Sequence, residues 1–141
     1  MESKIKILVI DDDLEMRETL KTFLRRNGYQ VDSAKNAAEA FVKLSLEQFD
    51  LVLTDIVMTP VSGLLLIRSL MERHIIFKFI VITGNDSQEN RDQAQHLGSK
   101  GYLVKPFDSS ELLQLIQTIT MEEGDSYVEC TSNANPKPER G

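Results

Sequence analysis

Short apolar runs that alternate with longer stretches of helical period constrain this chain more than any other feature. "IKILVI" (Ile5–Ile10), "YQVDSA" (Tyr29–Ala34), "DLVLTD" (Asp50–Asp55), a stretch within "IIFKFIVIT" (Ile75–Thr83) and "GYLV" (Gly101–Val104) read as strands. Between them lie helices. One runs from about Leu14 to Asn27, with Met16, Leu20, Phe23 and Leu24 on one face and Gly28 as its stop. A second opens at Asn36, with Glu39 three residues on as in a capping box. The third covers Gly63–Arg73, and a polar fourth runs from Asp86 to Leu97 and ends at Gly98. The fifth opens on a second capping box, Asp108 and Glu111, and carries Leu112, Leu115, Ile116 and Ile119 as one stripe. Five strand–helix units predict an α/β fold with a parallel sheet covered on both faces, joined by right-handed crossovers. The near-continuous apolar runs of the first, third and fourth strands fit burial on both sides.

At 141 residues the chain is long enough for one domain with a real core. From about Glu122 the pattern stops. "EEGDSYVECTSNANPKPERG" is polar and has no apolar period, so the expected division is a domain over 1–122 and a flexible tail or linker over 123–141. The net charge of −6 disfavours direct contact with nucleic acid phosphates. A single cysteine, Cys130, excludes an internal disulfide, and no zinc-type spacing is present. The N-terminal apolar run is short, broken by Lys6 and followed by acid, which fits neither a signal peptide nor a membrane span. The cytoplasm is the expected compartment.

In an open parallel α/β sheet, ligands bind beyond the carboxyl ends of the strands. There the sequence places Asp11, Asp12 and Asp13, then Asp55, Thr83 and Lys105 followed by Pro106. Adjacent carboxylates repel one another and raise each other's pKa. A hard cation offsets that repulsion, and Mg2+ takes oxygen ligands of this kind. A carboxylate can also attack phosphorus to form an aspartyl phosphate, a reaction that needs positioning and charge neutralisation above all. Lys105 and the Thr83 hydroxyl suit those tasks. Asp13 reads more simply as the N-cap of the first helix. His74 and His96 lie toward helix ends and need no chemical role.

The segments "ILVIDDDLEMR", "DLVLTDIVM" with Gly63 eight residues after Asp55, "VITGN" and "GYLVKPF", in this order, resemble the response-regulator receiver domain of two-component signalling. The likeness covers roughly Lys4 to Met121 and is of the chemotaxis, single-receiver type. It implies a doubly wound, flavodoxin-like (βα)5 sheet of order 2-1-3-4-5. It also implies that Asp55 is the phosphoacceptor and that Asp11, Asp12, Asp55 and the backbone carbonyl of Val57 hold Mg2+. Thr83 is then the switch hydroxyl, Lys105 the phosphate-pairing lysine, and Tyr102 the aromatic whose rotamer follows Thr83. Lys105–Pro106 is expected to be a cis peptide. Val57 and Asn85 are expected to tune loss of the phosphoryl group. The implied partners are a sensor histidine kinase and an effector protein, the latter through the fourth helix, fifth strand and fifth helix, about Asp86 to Ile119. No nucleic acid or membrane contact is implied, and the chain would be a monomer or a phosphorylation-dependent dimer. This is a signalling switch rather than an enzyme, limited to self-catalysed phosphoryl acceptance and slow autodephosphorylation. One departure stands beside the acceptor: the loop carries Thr59 where the family has proline, with Pro60 one position later.

Two other readings use the same residues. A haloacid-dehalogenase-type phosphatase would make Asp11 the nucleophile, but it wants a further acidic cluster after the lysine, and Asp108 and Glu111 cap a helix instead. A phosphorylation-independent binding module would require a missing site residue, and none is missing. No helix-turn-helix or basic patch marks an output domain. The chain is either a regulator acting through protein contacts or a receiver whose tail leads to a further domain.

Overall fold

The computed structural model describes residues 4–58 and 60–121, and the backbone of 128–131. The strands are β1 (Lys6–Ile10), β2 (Gln30–Ala34), β3 (Leu51–Thr54), β4 (Lys78–Thr83), β5 (Gly101–Val104) and β6 (Val128–Thr131). The helices are α1 (Leu14–Arg26), α2 (Ala37–Leu46), α3 (Gly63–Glu72), α4 (Gln88–His96) and α5 (Ser109–Met121). The sheet order is β2-β1-β3-β4-β5-β6, and every pairing is parallel. The five expected strands keep the order 2-1-3-4-5.

The sixth strand lies within the segment expected to be a tail. Val128–Thr131 pairs with Gly101–Val104, so the outer edge of β5 is occupied. The remaining residues of that segment, like Thr59, lie outside the described residues.

Alternate residues of each strand go to opposite faces, as a period of two requires. Ile7, Val9, Leu51, Leu53, Ile80, Ile82 and Leu103 meet Leu20 and Leu24 of α1 and the stripe Leu112, Leu115, Ile116 and Ile119 of α5. Leu8, Ile10, Val52, Phe79, Val81 and Tyr102 meet Ala40 and Leu44 of α2, Ile67 and Leu70 of α3, and Ala94 of α4. Each fully buried Leu or Ile stabilises the fold by about 1.5–3 kcal/mol. Both faces are therefore filled. Among the described residues, α4 buries only Ala94.

The helix ends follow local chemistry. Asn36 Oδ1 accepts the Glu39 N–H, and the Glu39 carboxylate reaches back to the Lys35 N–H. Glu111 closes the second box by accepting the Asp108 N–H. Gly28 and Gly98 both take φ of +95° just past α1 and α4. α3 has no glycine at this point, and His74 adopts φ of +64° in its place. No described helix is long and apolar enough to cross a membrane.

Candidate functional site

Parallel strands bring their carboxyl ends to one edge. The register pairs Ile10 with Thr54, Thr54 with Val81, and Thr83 with Val104. Asp11 and Asp55 are the next residues out. Their N–H groups extend the ladder by one step, to the carbonyls of Ala34 (3.2 Å) and Ile10 (3.0 Å). Both carboxylates thus stand on fixed backbone, and both are buried, at 3 % and 8 % exposure.

Asp12 is exposed beside them. Carboxylate oxygens of Asp11, Asp12 and Asp55 lie within 4.8 Å of one another. Lys105 enters from the end of β5. Its Nζ donates to Asp11 Oδ2 at 3.0 Å and to Asp55 Oδ2 at 3.1 Å. The other Asp55 oxygen accepts the Val57 N–H at 3.1 Å, and the other Asp11 oxygen accepts the Asp13 N–H at 2.9 Å. The Arg17 guanidinium donates to the Asp11 carbonyl at 2.8 Å, a contact that strand and helix patterns do not announce.

One ammonium is shared between two carboxylates, and this sets the electrostatics. Burial pushes the Asp55 carboxyl above its ordinary pKa; Lys105 works against that shift and the Asp11 charge adds to it. Burial alone would lower the Lys105 pKa, but Asp55 and Asp11 together raise it above the ordinary lysine value. The cation is firmly charged, while the Asp55 carboxylate remains under-compensated. Three hard oxygen donors with a charge deficit are the donor set that a divalent cation such as Mg2+ takes.

Thr83 is fully buried at the end of β4. Its Oγ1 accepts the Asn85 N–H at 2.9 Å, which leaves the hydroxyl proton available for donation. Tyr102 is also fully buried, and its hydroxyl donates to Asp86 Oδ1 at 3.2 Å. The Val57 side chain is half exposed, and Asn85 is exposed. The Lys105–Pro106 peptide is cis. Asp13 caps α1, its carboxylate accepting the Glu15 N–H at 3.0 Å. Gly63 opens α3 directly against the Asp55 backbone: a Cβ there would lie 2.0 Å from the Asp55 carbonyl oxygen and 2.8 Å from Thr54 Oγ1. Asp11, Asp12, Asp55, Thr83 and Lys105 therefore meet at one edge. Tyr102 faces α4, on the side of the sheet that carries α2 and α3.

A doubly wound sheet with an acidic triad and a bridging lysine at its switch edge defines the receiver class of two-component signalling proteins. The match to the response regulator receiver domain family over residues 7–117 places the chain in that family. Among curated relatives it is 32 % identical over 117 residues to the transcriptional regulatory protein ResD of Bacillus subtilis, covering 83 % of this chain and 48 % of that protein. It is 34 % identical to the response regulator MprA of Mycolicibacterium vanbaalenii, covering 85 % of this chain and 54 % of that protein. The chain spans about half the length of these relatives. Among solved structures it resembles the Vibrio cholerae chemotaxis protein CheY4 (TM-score 0.77, 27 % identity, 83 % of this chain and 99 % of that one). It also resembles the response regulator TrrA of Thermotoga maritima in complex with Mg2+ and BeF (TM-score 0.73, 31 % identity, 82 % and 98 %).

Proposed function

We propose that the chain is a phospho-accepting receiver in which Asp55 takes a phosphoryl group from a histidine kinase. The observation that carries this reading is Lys105, whose Nζ bridges Asp11 and Asp55 at 3.0 and 3.1 Å beside a third carboxylate. A carboxylate oxygen of Asp55 forms the new P–O bond while the P–N bond of the donor phosphohistidine breaks, and the imidazole leaves with the electron pair. Asp11, Asp12, Asp55 and the Val57 carbonyl would hold Mg2+, which supplies positive charge against the phosphoryl oxygens when bound. Lys105 stays paired to the acceptor and follows the charge onto the phosphoryl group. The Thr83 hydroxyl donates to a phosphoryl oxygen. These new contacts bias a two-state equilibrium of the domain.

The readout face on this reading is α4, β5 and α5, available to an effector protein. β6 pairs with the β5 edge of that face, so residues 128–131 lie along it. Tyr102, on β5, is assigned the switching rotamer. Val57 and Asn85 are assigned the tuning of phosphate loss, a role tested by comparing decay rates of phosphorylated wild type and Val57→Asn. The phosphatase alternative is not favoured: Lys105 pairs Asp11 with Asp55, and Asp13 is spent as a cap.

Beryllofluoride, a phosphoryl mimic, tests the reading. With Mg2+ and saturating beryllofluoride the wild-type Tm should rise by several degrees, since a ligand at 100 times its Kd stabilises by about 2.7 kcal/mol. Asp55→Asn should abolish the rise. An equal rise in both chains would count against Asp55 as the acceptor.

A further inference from the structure

Tyr102 does not meet α4 through apolar packing alone. Its hydroxyl donates to Asp86 Oδ1 at 3.2 Å. Arg91, on the first turns of α4, grips the same carboxylate with two donors, Nε to Oδ1 and Nη2 to Oδ2, each at 2.8 Å. The Arg91 guanidinium also lies over the Tyr102 ring, 5.3 Å from its centre. Fork-to-carboxylate pairing fixes orientation as well as distance, and stacking on an aromatic face adds a second constraint. The rest of the α4 attachment is thin, because the helix is polar and Ala94 is its one buried residue among those described. Asp86 precedes the N-cap Ser87, so the clasp joins the β4–α4 loop, the first half of α4 and the middle of β5.

We propose that Asp86 and Arg91 are positioning residues that couple Tyr102 to α4, so that a change at the acceptor reaches the helix through this clasp. The proposal rests on the reading of Tyr102 as the switching aromatic. It adds two residues that the site itself does not contain, and both lie on the readout face. Neither touches Asp55, Lys105 or the acidic cluster in any described contact, and their loss should leave the acceptor chemistry intact.

The test follows two signals in the full chain as Mg2+ and beryllofluoride are added. One is the resonance of 3-fluorotyrosine at position 102, assigned with Tyr102→Phe among the three tyrosines. The other is the change in amide shifts across Gln88–His96. Wild type should show both. Asp86→Ala and Arg91→Ala should still bind beryllofluoride and still move the Tyr102 resonance, while the α4 response falls by about fivefold, the most that an exposed pair of this kind transmits. Arg91→Lys keeps the charge but loses the fork and should fall between. An undiminished α4 response in both alanine variants would overturn the clasp and leave the tyrosine reading standing. A wild-type Tyr102 resonance indifferent to bound beryllofluoride would overturn the tyrosine reading and the clasp together.

Discussion

Asp55 occupies an uncomfortable place. It is buried next to Asp11 and shares one lysine with it, so its carboxyl sits above the ordinary aspartate value. A carboxyl raised on folding binds more protons in the folded than in the unfolded state between the two pKa values, so stability falls as pH rises through that window. The penalty is absent below the unfolded value and complete above the folded one. In metal-free buffer Asp55→Asn should therefore melt above wild type at neutral pH, with the gap closing as pH drops toward 3.8, the ordinary value. Melting curves in chelator across pH check this, and a gap that widens on acidification would contradict it. The convergence of Asp11, Asp12, Asp55, Thr83 and Lys105 was legible in the sequence because each stands at or just past a strand end, and parallel topology sends all strand ends to one edge. The Asp86–Arg91–Tyr102 clasp was not. Asp86 precedes the helix that carries Arg91, so the pair falls outside the i,i+4 spacing that marks helical partners. Tyr102 on its own reads as an ordinary buried aromatic.

At the scale of elements, the loop after β3 is set by contact rather than propensity. α3 opens on a glycine, Gly63, because any side chain there would run into the Asp55 carbonyl, 2.0 Å from an added Cβ. The obstacle is backbone and cannot swing away. Gly63→Ala should cost about 3 kcal/mol, at the top of the range for overpacking, and move the loop after β3. Urea unfolding reads this as a lower midpoint at unchanged slope, and a loss under about 0.5 kcal/mol would show that the loop yields freely. The five-unit pattern, both capping boxes and the glycine stops were legible because they depend on local residue chemistry. Two features were not. β6 is four residues in a polar segment, and its partner β5 lies more than twenty residues away across α5, so no local period signals it. α3 ends on His74 in the left-handed conformation, a place where sequence reasoning looks for glycine.

The whole molecule is acidic, with a net charge of −6. On the proposed reading an aspartyl phosphate adds further negative charge at an edge that already holds three carboxylates, and Lys105 is the cation that meets it. Apolar packing on both faces holds the sheet, while this edge is held by the polar contacts of Lys105 with Asp11 and Asp55. Relatives such as ResD are about twice as long as the span they share with this chain. The decisive measurement is the intact mass of the chain after incubation with Mg2+ and acetyl phosphate, run beside Asp55→Asn and quenched rapidly. Wild type should gain one phosphoryl group, and neither Asp55→Asn nor wild type in chelator should gain any. An unchanged wild-type mass, or an equal gain in Asp55→Asn, would mean that Asp55 is not the phosphoacceptor.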